Sequence, residues 1–195
     1  MLVLASASPR RQELLRNAGI PFEVRATDIP EIPKPGEAPQ AFAERMAREK
    51  ARMIAKQRPR DHILGADTIV VVENTILGKP RDTEEAAQML RMLSGKAHEV
   101  TTAVCLLRPR LADKGKLQPA FEDTRSEITR VTMNELSEGD VRSYVATGEP
   151  MDKAGAYAIQ GIASRWIPRI EGDYSNVVGL PVSLVYRMLR EHRVI

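Results

Sequence analysis

The sequence predicts a mixed α/β fold with a partly antiparallel sheet. Short apolar runs rich in β-branched residues alternate with longer segments of helical periodicity. Polar and apolar residues alternate over residues 126–131, which indicates one strand of an antiparallel pair. A chain of 195 residues suits one domain with ample length for a core, so we expect a single domain over residues 1–195.

The first predicted elements are a strand, a helix and a second strand. Residues 2–5 form an apolar run typical of a buried strand, and residues 22–26 predict the next one. Between them, Ser8 is placed at the N-cap of a helix and Pro9 at its first position. Gly19 ends that helix about three turns later.

The middle of the chain predicts a loop, a helix, a hairpin and a further helix. Their ranges are the proline-rich loop 28–39, the helix 40–56, strand pieces at 63–64 and 68–72, a returning strand at 76–77 and the helix 83–93. We expect residues 65–67 to interrupt the strand, and Glu73-Asn74 to turn the hairpin. Thr83 is placed at the N-cap of the last helix.

The remaining segments predict a strand pair and two helices. Residues 99–107 and 122–133 are expected to pair, with 108–120 as an exposed, mobile loop. A capping box that begins at Ser137 opens a helix, residues 165–170 are strand-like, and Pro181 opens the terminal helix. Residues 149–161 and 171–176 are expected to form loops.

The charge pattern argues against a nucleic-acid partner. The net charge is +3 and the pI is about 9.1. The 29 basic and 26 acidic residues are interspersed along the sequence, so the basic residues form no continuous stripe. Aromatic residues make up only 4% of the chain, too few for a base-stacking platform. A small anionic ligand fits this balance at least as well as a polynucleotide.

Cysteine content and hydropathy predict a cytoplasmic protein without a membrane partner. Cys105 is the only cysteine, so no internal disulfide can form, and its apolar neighbours indicate a packed, inert thiol. No apolar run approaches membrane-spanning length.

The segment after the first strand predicts an anion site. Ser6 and Ser8 supply hydroxyls, Arg10 and Arg11 supply guanidiniums, and the start of the helix supplies free backbone N–H groups. Phosphate is the ligand that such a cluster favours. The alternative is a capped helix with exposed arginines.

Four further residues could take part in chemistry. Asp67 follows Gly-Ala between apolar segments, where an unpaired carboxylate is costly, so it is a general base, a magnesium ligand or an acceptor of loop N–H groups. Lys50 and Lys79 would alone be solvated lysines, and Gln160 a surface amide. An amide nevertheless offers both a donor and an acceptor, which complements a nucleobase edge.

Five stretches, in this order and spanning nearly the whole chain, resemble the Maf family of nucleotide pyrophosphatases. They are Leu4-Ala5-Ser6-Ala7-Ser8-Pro9-Arg10-Arg11, Gly65-Ala66-Asp67-Thr68, Leu77-Gly78-Lys79-Pro80, the segment 149–161, and Tyr174-Ser175-Asn176-Val177-Val178-Gly179-Leu180-Pro181. Within the fourth, Asp152-Lys153-Ala154-Gly155-Ala156-Tyr157 and Ile159-Gln160-Gly161 resemble the branch that acts on dTTP and UTP. The 108–120 segment departs from the pattern but leaves these motifs untouched.

The resemblance implies hydrolysis of a nucleoside triphosphate between the α- and β-phosphates. Asp67 would accept the proton of the attacking water. Residues that match specificity positions are Arg10, Thr68 and Gln160. Residues that match phosphate contacts are Ser6, Arg11, Lys50 and Lys79. Glu31, with Asp67, would bind a divalent cation, Mg²⁺ or Mn²⁺. The implied fold has a cleft between two lobes, similar to inosine triphosphate pyrophosphatases, and the implied assembly is a homodimer.

Two other functions remain open at this point. One is a pyrophosphatase for methylated or other non-standard nucleotides. The other is a regulatory protein without significant catalysis, because the family is also associated with inhibition of septum formation.

Overall fold

Strands and helices alternate in the computed structural model, which describes residues 1–111 and 117–195. The strands are β1 (Leu2–Ala5), β2 (Glu23–Val24), β3 (His62–Val72), β4 (Thr75–Leu77), β5 (Ala97–Leu111), β6 (Leu117–Thr132) and β7 (Arg169–Glu171). The helices are α1 (Pro9–Asn17), α2 (Pro39–Ala55), α3 (Thr83–Leu93), α4 (Glu138–Ala146), α5 (Tyr174–Val178) and α6 (Val182–Glu191). Short 3₁₀ turns cover Glu149–Asp152, Ala154–Ala156 and Ile162–Trp166.

The sheet mixes parallel and antiparallel pairs. Its strand order is β2-β1-β3-β5-β6-β7, with β4 paired to β3. β1 is parallel to both β2 and β3, whereas β4 is antiparallel to β3 and β7 to β6. Only residues 112–116 separate the neighbours β5 and β6, and a connection that short joins only antiparallel strands. The predicted mixed α/β fold, with a partly antiparallel sheet and helices, is confirmed.

The chain divides into two compact units. Unit 1 comprises Met1–Asp67, Thr102–Glu127 and Gly179–Ile195, and unit 2 comprises Thr68–Thr101 and Ile128–Val178. β3 therefore leaves unit 1 directly after Asp67. The single domain and the cleft expected from the sequence stay predictions.

The core of unit 1 is built from three strands and two helices. Apolar side chains of β1, β3 and β5 pack with those of α1 and α6 in one cluster. Its fully buried members include Leu4, Leu15, Leu106, Leu180 and Leu189. Ser8 caps α1 and Pro181 stands at the N-cap of α6, as the sequence predicts. Because β1 and α1 both contribute to this cluster, their packing holds the loop between them in place.

Unit 2 contains the hairpin and the capped helices. Glu73 and Asn74 both have positive φ, 49° and 64°, as a tight two-residue turn requires, so the predicted hairpin is confirmed. The capping box between Ser137 and Asp140 opens α4, also as predicted. α4 packs against α3.

β3 is one continuous strand, so the interruption expected at residues 65–67 is wrong. Gly65 is present because the strand passes close to α2, where a Cβ would lie 2.2 Å from the Ala47 carbonyl oxygen. The glycine therefore marks a close approach of two backbones. Asp67 consequently lies inside a strand, with a fixed backbone.

Several other boundaries also differ from the sequence prediction. Residues 108–111 and 117–120 belong to β5 and β6, because the long ladder extends past the prolines, and residues 112–116 of the expected loop lie outside the described residues. Asp82, not Thr83, caps α3 by accepting a hydrogen bond from the Glu85 N–H at 2.8 Å. Three ranges contain elements that local composition did not reveal. Two 3₁₀ turns lie within 149–161, a 3₁₀ turn precedes the short β7 within 165–170, and α5 begins within 171–176.

Cys105 lies in β5 and is fully buried. Burial raises the pKa of its thiol to about 11, so a thiolate does not form near neutral pH. The described helices include none with the length and apolar character needed to span a bilayer.

Candidate active site

A strand, a short loop and a helix form the anion site of unit 1. β1 ends at Ala5, and the next residues, Ser6 to Ser8, lead directly into α1. The Ser8 N–H donates to Ser6 Oγ at 3.2 Å, and the Arg11 N–H donates to Ser8 Oγ at 3.5 Å. This strand–loop–helix arrangement presents the positive end of the helix at the carboxyl edge of β1.

The position of β1 in the sheet makes this edge a natural ligand site. The chain passes from β1 to β2 on one side and then returns to β3 on the other side. Open α/β sheets bind ligands where the strand order reverses, beyond the carboxyl ends of the parallel strands. Ala5 and Gly65 form the last pair of the β1–β3 ladder, so Ser6 and Asp67 both lie just beyond the end of β1, Asp67 within the continuing strand β3.

The Arg11 side chain is 9% exposed and joins three chain segments at this edge. Its Nε donates to the Gly179 carbonyl at 2.8 Å, and its Nη1 donates to Ser6 Oγ at 3.1 Å and the Ala66 carbonyl at 3.0 Å. At least three of the five guanidinium N–H donors are thus directed at the protein itself. Arg11 therefore holds the site together, and its predicted phosphate contact stays a prediction.

Asp67, Lys50 and Glu31 form a carboxylate–ammonium–carboxylate group. Lys50 Nζ donates to Asp67 Oδ1 and to Glu31 Oε1, each at 2.6 Å. The Lys50 and Asp67 side chains are 8% and 5% exposed, whereas that of Glu31 is 39% exposed. A buried ion pair of this kind holds its partners in one geometry, whatever its net contribution to stability.

Burial raises the pKa of Asp67 above its ordinary value, although the Lys50 ammonium opposes that shift. The nearby Glu31 carboxylate raises it further. Burial lowers the pKa of the Arg11 guanidinium, and the charges of Asp67 and Glu31 oppose that change. A carboxylate whose affinity for protons is raised is better matched to general-base work near neutral pH.

The other predicted site residues are less buried. Arg10, on α1, and Thr68, which follows Asp67 on β3, are both half-buried. Lys79 and Gln160, in unit 2, are exposed. The Gly155 N–H donates to the Gly78 carbonyl at 3.0 Å, which ties the Lys79 segment to the segment that carries Gln160.

Nearly the whole chain matches one protein family. The family described as "Maf-like protein" matches residues 1–192. This chain belongs to the Maf family.

Similar proteins match the chain almost end to end. The dTTP/UTP pyrophosphatase of Koribacter versatilis is 53% identical over 97% of this chain and 93% of its own length. That of Geobacter sulfurreducens is 51% identical over 97% and 95%, and that of Syntrophomonas wolfei is 49% identical over 95% and 94%. The Maf family assignment made from the motifs is therefore confirmed.

The similarity to solved structures is weaker than the similarity to these relatives. The Staphylococcus aureus Ham1 protein covers 98% of both chains at 13% identity, with a TM-score of 0.48. A likeness at that level carries no argument about this Maf protein, so the expected similarity to inosine triphosphate pyrophosphatases stays a prediction.

Glu31 and Asp67 are the carboxylates of this site that could bind a divalent cation. Glu31 and Asp67 direct oxygens at one point, where Lys50 already supplies a positive charge. Mg²⁺ commonly binds one or two carboxylates and completes its shell with water and phosphate oxygens. Within residues 1–111 and 117–195, no group of three or more His, Cys, Asp or Glu side chains would hold a metal on protein ligands alone.

Sequence reasoning missed the polar contacts that hold the Gln160 segment in unit 2. Glu149 accepts a hydrogen bond from the Tyr144 hydroxyl at 2.8 Å and another from the Ile162 N–H at 3.0 Å. In the sequence, Glu149 is one residue of the 149–161 motif, and Tyr144 lies in the helix that Ser137 opens. The one available signal was Gly161, where a Cβ would lie 2.3 Å from a Glu149 carboxylate oxygen.

Proposed function

We propose that this protein hydrolyses dTTP and UTP to the nucleoside monophosphate and pyrophosphate. The observation that carries the proposal is the buried Asp67 carboxylate, fixed by Lys50 beside a strand–loop–helix anion site. Support also comes from family membership and from relatives of about 50% identity that are named dTTP/UTP pyrophosphatases.

The chemical step begins with a proton transfer to Asp67. Lys50 holds Oδ1, and we assign Oδ2 as the oxygen that accepts a proton from water. The water oxygen then bonds to the α-phosphorus, the bond to the α–β bridging oxygen breaks, and pyrophosphate leaves with that electron pair. Burial serves this step because it makes Asp67 a stronger base.

Positive charge at the anion site stabilises the phosphate chain. Ser6, Arg10, Lys50 and the start of α1 face a substrate that carries about four negative charges. Lys79 is proposed as a further phosphate contact, and its exposed ammonium in unit 2 is accessible to a ligand. A divalent cation, Mg²⁺ or Mn²⁺, held by Glu31 and Asp67, would neutralise part of the phosphate charge.

Base choice is assigned to Gln160, with Arg10 and Thr68 as further specificity residues. Uracil and thymine share an N3–H donor flanked by carbonyl acceptors, and one amide can pair with a donor and an acceptor. Cytosine reverses that pattern at positions 3 and 4, so the same amide pose leaves a group unpaired. The exposed Gln160 side chain is accessible to a base.

The proposed setting is a cytoplasmic homodimer. The single cysteine, which is buried, fits a reducing compartment. Size-exclusion chromatography with light scattering reports the mass of the assembly directly.

A substrate panel tests the proposed base preference. With magnesium present, kcat/KM for dTTP and UTP should be comparable and should exceed that for CTP by about tenfold to a hundredfold, the effect of one unpaired buried group. Gln160→Ala should reduce the UTP-to-CTP ratio of kcat/KM more than it raises KM for UTP. Gln57→Ala, at another glutamine just past the end of α2, is the control. An unchanged ratio in Gln160→Ala would show that Gln160 does not read the base.

A further inference from the structure

The segment that carries Gln160 is anchored on both sides of that residue. The Ala158 N–H donates to the Tyr144 hydroxyl at 3.0 Å, and the Ile162 N–H donates to Glu149 Oε1 at 3.0 Å. Each anchor lies two residues from Gln160, one before it and one after it. An exposed side chain on a loop would otherwise lack a fixed backbone from which to meet a ligand.

The two anchors belong to one connected group. The Tyr144 hydroxyl, which accepts from the Ala158 N–H, itself donates to Glu149 Oε1 at 2.8 Å. The same carboxylate oxygen accepts from the Ile162 N–H. We name this group, composed of the Tyr144 and Glu149 side chains and the N–H groups of Ala158 and Ile162, the Glu149 clamp. Hydrogen bonds that involve a carboxylate are stronger than those between neutral groups.

The clamp is rigid at its base. Tyr144 is 1% exposed, and its ring meets the Trp166 ring edge to face at 5.4 Å. Burial raises the pKa of the Tyr144 phenol, so the hydroxyl remains a donor. The Glu149 backbone is also fixed, because its N–H donates to Thr147 Oγ1 and its carbonyl accepts from Lys153 Nζ.

The backbone at Gly161 lies against the Glu149 carboxylate. A Cβ at Gly161 would lie 2.3 Å from Glu149 Oε1 and 2.5 Å from Cδ. A methyl group there would have to displace the carboxylate from its two donors. The residue next to Gln160 is thus a glycine because the clamp occupies the space of a side chain.

We propose that Glu149 and Tyr144 are positioning residues for base selectivity. Neither side chain needs to touch the substrate. They fix the backbone from residue 158 to residue 162, so that the Gln160 amide meets the base in one orientation. This inference rests on the proposed role of Gln160.

The test is the UTP-to-CTP ratio of kcat/KM in clamp variants. Three variants remove or displace part of the clamp: Glu149→Ala, Tyr144→Phe and Gly161→Ala. Each should lower the UTP-to-CTP ratio by about threefold or more, which is part of the roughly tenfold to hundredfold preference assigned to Gln160. Glu149→Gln keeps a carbonyl oxygen as acceptor and should stay within about twofold of the parent ratio. kcat for UTP should change less than the ratio does.

Ser137→Ala is the matched control. It removes the N-cap of α4, the helix that carries Tyr144, and so destabilises the same element without touching the clamp. Its ratio should remain at the parent value. A fall as large as that in Tyr144→Phe would assign the effect to general loss of stability and overturn the inference.

Combination with Gln160→Ala separates the inference from the proposed function. If the clamp acts through Gln160, adding Tyr144→Phe to Gln160→Ala lowers the ratio no further. If Gln160→Ala lowers the ratio but the clamp variants do not, the clamp has no positioning role and the function of Gln160 stands. If Gln160→Ala has no effect, the base-reading role fails and takes the inference with it.

Discussion

Replacing Asp67 with Asn should lower kcat for dTTP by about two to four orders of magnitude, the contribution of a positioned general base. The amide keeps the shape of the side chain and an oxygen for the Lys50 ammonium, but it cannot accept the proton of water. The measurement is steady-state pyrophosphate release at saturating substrate. Thermal melting of the same sample shows that the protein still folds.

Asp61→Asn is the matched control for this change. Asp61 is also an aspartate of unit 1, but its carboxylate pairs with Arg58 and not with the Lys50 group. Its kcat should stay within about twofold of the parent value, as for a surface ion pair. Near-normal turnover of Asp67→Asn would contradict the assignment of Asp67 as the base.

Replacing Arg11 with Met should lower the stability of the protein by about 2–5 kcal/mol. The change leaves Ser6 Oγ and the carbonyls of Ala66 and Gly179 without their buried donor, and it removes a positive charge near two carboxylates. For a chain of this size, the melting temperature should fall by about 5–15 °C. Urea denaturation followed by circular dichroism checks the free energy of unfolding.

Arg16→Met provides the comparison on the same helix. The exposed Arg16 donates to the Gln12 side chain and lies over the face of the Phe22 ring, so its loss should cost less than about 1 kcal/mol. If Arg11 mainly contacts phosphate, Arg11→Met would instead keep its melting temperature and raise KM. That result would contradict the role of Arg11 in holding the site together.

Elements set by local chemistry could be predicted from the sequence. Ser8 and Pro9 at the start of α1, the Glu73-Asn74 turn and the Ser137 capping box each depend on residues within four positions of one another. The structure confirms all of them. The mixed α/β fold follows from the same alternation of local patterns.

Features that depend on distant neighbours could not be predicted. Gly65 was interpreted as a break because the close approach of α2 cannot be seen in the sequence. The ends of β5 and β6 likewise depend on the ladder between them. The Asp82 cap of α3, by contrast, is a local contact with Glu85, and the choice of Thr83 placed the N-cap one residue too late. Local composition shows neither the close approach of α2 to Gly65 nor the extent of the β5–β6 ladder.

The candidate site shows the same division. The resemblance to the family identified Asp67, Lys50 and Glu31, of which only Asp67 lies in a quoted motif, and the structure brings these three side chains together in unit 1. The roles of Arg10, Thr68, Lys79 and Gln160 stay predictions. The Glu149 clamp could not be found, because Tyr144 and Glu149 meet only once α4 and the turn after it have formed.

The position of bond cleavage tests the central claim most directly. Hydrolysis of dTTP in oxygen-18 water, followed by mass spectrometry of the products, shows both which phosphates separate and which one the water attacked. We expect dTMP that carries the label on its α-phosphate, together with unlabelled pyrophosphate. Release of dTDP and orthophosphate would contradict the assignment of this protein as a pyrophosphatase.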